Sequence, residues 1–168
     1  GNGASVCALQ DGKSVDTSMG LTALDGLPMG TRCGALDPGA VLYIQRALDY
    51  SAEDLERILY DESGLQGLSG ISNDVKTLLE SPDPRAAFAI EYFALKAAQQ
   101  IATMAVSLGG VDGLVITGGI GENADAVVAK ILGHLQFLPK HEVHVIPANE
   151  ERIMAMEIYA GYFRVTLQ

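Results

Sequence analysis

Two short runs with strand character, Ala4 to Leu9 and Ser14 to Ser18, flank Gln10-Asp11-Gly12-Lys13. An Asp-Gly pair between such runs predicts a β-hairpin. No sustained period follows from Gly20 to Pro38, so that stretch is expected to be an irregular loop. Helical signals then begin. Asp37-Pro38 opens a helix over Ala40 to Tyr50, with Asp as cap and Pro in the first turn. Ser51-Ala52-Glu53-Asp54 opens a second helix through Leu55, Ile58 and Leu59 to a stop at Gly64. Gly67 to Ser72 reads as a loop, and Asn73-Asp74 as the cap of a short helix carrying Val75, Leu78 and Leu79. From Asp83-Pro84 an Ala-rich helix, apolar on most faces, runs to Leu108 and stops at Gly109-Gly110. It is the expected centre of the core. A strand over Gly113 to Thr117, a turn over Gly118 to Glu122 and a helix over Ala124 to Leu135 follow. A strand over Glu142 to Ile146 and a last helix over Asn149 to Tyr159 complete the α/β pattern.

Composition narrows the function. The chain has 168 residues, 48% hydrophobic and 19% charged, which suits one globular domain. With 11 Lys and Arg against 21 Asp and Glu the net charge is −10, so neither nucleic acid nor an anionic membrane is an expected partner. The longest apolar stretch, Ala86 to Leu108, is broken by Glu91, Lys96, Gln99 and Gln100 and is too polar to span a bilayer. Two cysteines, Cys7 and Cys33, match no zinc or redox spacing and read as reduced thiols in a cytoplasmic protein. The chain opens inside a Gly-rich loop without an initiator Met, which reads as part of a longer protein.

Three glycine-bearing segments carry the chemistry: Gly1-Asn2-Gly3-Ala4-Ser5, Met29-Gly30-Thr31-Arg32 and Thr117-Gly118-Gly119-Ile120-Gly121-Glu122-Asn123. Glycine lets backbone N–H groups approach an anion, and arginine offers a planar fork to phosphoryl oxygens. A few local donors can bind phosphate in a protein that is acidic overall. Gly119 to Ala124 also fits the dinucleotide pattern G-x-G-x-x-A. Its position argues against that reading, because too few strands and helices follow it to build such a fold.

Taken together and in order, these segments resemble the C-terminal half of the acetate and propionate kinases. Lys-Ser-Val-Asp-Thr-Ser-Met-Gly, Ser-Asn-Asp-Val and Ile-Pro-Ala-Asn-Glu-Glu extend the match over nearly the whole chain. The resemblance implies an actin-like α/β domain with a mixed sheet flanked by helices, the C-terminal nucleotide-binding domain (residues 1–168) of a two-domain, Mg²⁺-dependent kinase. It implies that ATP or ADP is bound by Gly1, Asn2 and Gly3 at the phosphates and by Asp74, Val75 and Lys76 along the adenosine. Gly118, Gly119, Ile120, Gly121 and Glu122 would close over the nucleotide, Arg32 would stabilise the phosphoryl group in flight, and Glu150 would serve the magnesium ion. Lys76 stands where the family carries arginine, and offers a point charge in place of a fork. Cys33 stands where serine is usual and reads as a small filler beside Arg32.

The resemblance further implies a short-chain carboxylate or acyl phosphate as second substrate, and a homodimer. The histidine that precedes Gly-Asn-Gly in the family, and the N-terminal domain's substrate-holding groups, have no counterpart in this chain. The 168 residues alone are therefore expected to be inactive. His134, His141 and His144 follow no ligand spacing and are assigned to solvent or packing. The alternative is a nucleotide-binding actin-like domain without kinase chemistry, and a third reading is a structural domain whose glycines serve only turns.

Overall fold

The computed structural model describes residues 3–149, 151–156 and 158–159. Strand β1 (Cys7–Gln10) pairs antiparallel with β2 (Lys13–Thr17). The turn between them has φ +52° at Asp11 and +74° at Gly12, the left-handed pair that a two-residue hairpin demands. Pairing continues past the strand ends, where the Ser18 N–H donates to Val6 O at 2.9 Å.

Helix α1 (Pro38–Ala47) is capped by the Asp37 side chain, and α2 (Ala52–Asp61) by a reciprocal capping box between Ser51 and Asp54. Short helices α3 (Gly64–Ser69) and α4 (Val75–Glu80) lead into α5 (Pro84–Leu108), which ends on Gly109 at φ +72°. Then come β3 (Gly113–Ile116), α6 (Gly118–Asn123), α7 (Asp125–His134) and β4 (Glu142–Val145). Strand β4 runs parallel to β3, so among the described residues one two-stranded sheet is antiparallel and the other parallel. Residues 151–156 are helical, within the helix expected over 149–159.

Helix α5 is the axis of the core. Ala86, Ala89, Ile90, Phe93, Ala94, Ala97 and Ala98 are buried on it and meet Leu27, Leu65, Leu78, Val127, Ile131 and Leu135. Its alanines let α3, α4, α7 and the hairpin close around it. One face stays open: Phe88, Leu95 and Val106 are exposed. Helices α5 and α7 are also tied at the surface, where Glu91 accepts from Lys130 Nζ at 2.7 Å and pairs with His134 Nε2 at 2.8 Å.

Two elements depart from the sequence reading. Gly64 is expected to stop a helix and Gly67 to Ser72 to form a loop, whereas Gly64 starts α3 and Gly67 to Ser69 complete it; Gly118 to Glu122 is expected to be a turn and is most of α6. Both segments are glycine-rich, with poor intrinsic helix propensity. Hydrogen bonds from elsewhere in the fold hold them.

Asp83 illustrates how the caps respond to pH. The Arg85 guanidinium, and then the Arg85 backbone N–H, hold its carboxyl at about 2, below the ordinary 3.8. A depressed carboxyl contributes stability that is complete above its unfolded value and is lost as pH falls through the folded value. The difference in Tm between the parent and Asp83→Asn should therefore be constant near neutrality and shrink between about pH 4 and pH 2. Thermal melts across that range check it, and a gap that persists at pH 2 would exclude the charged cap as its cause.

Candidate nucleotide site

A cleft of about 380 Å³ opens where the start of α4, the start of α6 and the loop at Gly30 converge. Asp74, Val75 and Lys76 line one side, and Gly119 and Ile120 the other. Each wall has a local cause. The Asp74 carboxylate caps α4 by accepting from the Thr77 N–H at 2.9 Å and the Thr77 hydroxyl at 2.8 Å. These bonds hold it below the usual carboxylate range. Val75 is buried and anchors the turn, while Lys76 is exposed at the rim. On the other side the chain leaves β3, reverses at Gly118 with φ +79° and enters α6. Gly121 is buried under that helix, and a Cβ there would stand 2.6 Å from Ile116 Cγ2, so only glycine lets α6 settle onto β3.

Glu122 does not line the cleft. One of its oxygens accepts from the Gly118 N–H and from the Ala148 N–H, each at 2.8 Å. Asn123, the last residue of the third glycine-bearing segment, does line it, as do Leu65 and Leu79, which sequence reasoning does not assign to the site. Leu79 lies one turn beyond Val75 on α4, and that spacing was the signal available. Leu65 was concealed because α3 was not foreseen. The walls are mainly apolar, with amide and charged groups at the edge, a combination that suits a heteroaromatic base joined to a polar sugar.

The loop bearing Arg32 is irregular but firmly held. Met29 N–H donates to Arg32 O at 3.0 Å and closes a tight turn. The amides of Ser63, Leu65 and Gln66 donate to the carbonyls of Thr31, Met29 and Gly30 at 2.8, 2.9 and 2.9 Å. The Cys33 N–H donates to Leu59 O at 3.0 Å, and the Thr31 hydroxyl to Tyr60 O at 2.7 Å. Arg32 itself is partly buried, and its Nη1 makes two long contacts, donating to Ala23 O at 3.5 Å and to Met29 Sδ at 3.8 Å. It forms no ion pair among the described residues. A Cβ on Gly3 would stand 3.7 Å from Arg32 Nη1.

The fold therefore joins Asp74, Val75 and Lys76 to Gly119 and Ile120 across one cleft, and Arg32 to Gly3 beside it. Gly30 belongs to both. Gly1, Asn2 and Glu150 lie outside the described residues. Cys33 is half-buried, and burial pushes its thiol up, with Asp25 adding to the effect. A protonated thiol is a poor nucleophile, which agrees with a filler role.

Among the described residues no group of three His, Cys, Asp or Glu side chains could hold a metal ion. His134 pairs with Glu91 and His144 with Glu142, and His141 meets Pro139 O, so each is engaged with surface or packing partners. Within the described residues no helix is long and apolar enough to cross a membrane.

Known proteins match both the sequence and the fold. The sequence pattern of the acetokinase family covers residues 1–152. The acetate kinase of Rhodopseudomonas palustris is 52% identical over 131 residues, which is 78% of this chain and 33% of that protein. The acetate kinase of Methylocella silvestris is 42% identical over 180 residues, covering 95% of this chain and 45% of that protein. A propionate kinase structure from Francisella tularensis superposes with a TM-score of 0.83 at 38% identity, over 89% of this chain and 44% of that one. An acetate kinase structure from Entamoeba histolytica gives 0.85 at 30% identity, over 93% and 48%. The chain thus spans less than half the length of these relatives, and its fold is their actin-like α/β fold. With the family pattern matched over residues 1–152, relatives up to 52% identical and solved structures of the same fold, the chain belongs to the acetokinase family.

Proposed function

We propose that this chain is the C-terminal, nucleotide-binding half of a kinase that transfers a phosphoryl group between ATP and acetate or propionate. The observation that carries the reading is the junction at Gly30. It lines the cleft shared by Asp74 to Lys76 and Gly119 to Ile120, and two residues later the same rigid loop presents Arg32 beside Gly3. A base and ribose in the cleft would direct their phosphates past Gly30 toward Gly3 and Arg32.

Phosphoryl transfer is promoted mainly by positioning and by neutralising charge on the equatorial oxygens. Arg32 suits that task because its guanidinium has no carboxylate partner among the described residues and is held by a loop that need not reorganise. Asp74, committed to Thr77, acts on the wall's shape, and Lys76 supplies a positive charge at the rim. The chemistry a magnesium ion supplies is charge neutralisation on the phosphates, and such ions commonly take most of their ligands from phosphate and water. That is compatible with a site where the described residues gather no cluster of three metal-ligating side chains, with Glu150 as its proposed protein ligand. The carboxylate substrate would be held by the remainder of the full-length protein, working as a homodimer in the cytoplasm. A nucleotide-binding domain without kinase chemistry would have no use for the placement of Arg32.

The test uses the full-length protein. Mg-ATP and Mg-ADP should raise its Tm, since a ligand bound only by the folded state adds about 2.7 kcal/mol at a hundredfold excess over Kd. With acetate or propionate and Mg-ATP, hydroxylamine should trap an acyl phosphate as the hydroxamate. Absence of both the thermal shift and the hydroxamate would overturn the proposal.

A further inference from the structure

We propose that Glu122 is a positioning residue that locks the nucleotide-facing wall of α6 to the chain leaving β4. The inference rests on the nucleotide reading of the cleft and deepens it. The parallel ladder between β3 and β4 shows what Glu122 replaces. Glu142 N–H donates to Asp112 O at 2.9 Å, and Ile146 N–H to Ile116 O at 2.9 Å. In a parallel ladder acceptors recur every second residue, so the next donor, Ala148 N–H, would meet Gly118 O. The chain has by then turned away, with Gly118 in the left-handed region at φ +79°.

The Glu122 carboxylate takes the vacated acceptor position and binds Ala148 N–H at 2.8 Å. The same oxygen accepts from Gly118 N–H, also at 2.8 Å, one of the amides that a helix start leaves unpaired. Thr117, at the N-cap, makes no side-chain cap bond, and it is Glu122 that accepts from the first amide of α6. One carboxylate oxygen therefore fixes both the exit of β3 and the exit of β4. Gly119 and Ile120, immediately after the tethered amide, form the cleft wall. Glu122 acts on the nucleotide through them and not by contact.

Glu122→Ala and Glu122→Gln in the full-length protein test this by two readouts. Amide exchange should quicken together at 118–121 and 146–149 in Glu122→Ala, and KM for ATP should rise about tenfold while kcat stays within about threefold. The glutamine carbonyl can still accept both bonds, so Glu122→Gln should recover most of the affinity and the protection. A raised KM with unchanged exchange at 146–149 would mean that Glu122 touches the nucleotide directly and would overturn the proposal. Faster exchange with unchanged KM would overturn it equally, reducing Glu122 to a structural cap. Turnover by the unsubstituted protein tests the kinase reading separately, so the two failures are distinguishable.

Discussion

Replacing Arg32 with alanine in the full-length protein should lower kcat for acyl phosphate formation by about three orders of magnitude or more, the range known for arginines that neutralise a phosphoryl group in transfer. KM for nucleotide should change far less. The base would be held by Val75, Gly119 and Ile120 in a cleft that Arg32 does not line, and the guanidinium's described contacts are long, with Ala23 O at 3.5 Å and Met29 Sδ at 3.8 Å. For the same reason Tm should move little. Arg32→Lys should recover only a small part of the rate, since an ammonium lacks the planar fork. Initial rates with hydroxylamine trapping give the answer. An unchanged kcat in Arg32→Ala would remove Arg32 from the chemistry and favour a domain that only binds.

Substituting Gly64 should have the largest effect on folding. Gly64 has φ +58°, a conformation that costs an L-residue about 1–2 kcal/mol. A Cβ there would collide with the Met29 carbonyl oxygen and stand 2.8 Å from Arg32 O. Those are the backbone groups that shape the arginine loop. Relieving the collision means displacing the loop and losing at least the bond from Leu65 N–H to Met29 O, worth about 1 kcal/mol. Gly64→Ala should therefore cost about 3 kcal/mol or more, and activity should fall with stability because Arg32 sits on the displaced segment. Urea denaturation of the parent and variant measures this. A loss below about 1 kcal/mol would mean that α3 can shift without cost.

How far the chain could be read beforehand depended on where its order originates. Asp11-Gly12 fixes the hairpin locally, and Asp37, Ser51, Asp74 and Asp83 cap the helices they were expected to cap. The long α5 is equally plain, being Ala-rich, apolar on most faces and bounded by Pro84 and Gly109. Helices α3 and α6 were not legible, because their glycines give no period and their bonds go to residues far away in sequence, Met29 and Gly30 for α3 and Ala148 for the end of β3. The site divides in the same way. Asp74 to Lys76 and Gly118 to Ile120 were named from resemblance, and the fold brings most of them to one cleft. Glu122 is expected to close over the nucleotide, and the fold adds a role that the motif does not announce. Its motif marked it as important, but its carboxylate is spent on two amides, and no spacing rule announces a tether to a strand exit.

The loop around Arg32 is gripped through main-chain atoms: the amides of residues 63, 65 and 66 hold the carbonyls of residues 31, 29 and 30. Such a grip is indifferent to the identity of the side chains that carry it. Gln66 is free to diverge over evolutionary time while the guanidinium keeps its place, whereas the Ser63 hydroxyl also donates to Ile58 O at 2.7 Å, and none of the three donors can become proline, which has no N–H to give. Glycine at position 64 is the fixed point of the arrangement. Descendants of this sequence can therefore lose most of the visible likeness around the arginine without losing the geometry that makes it useful.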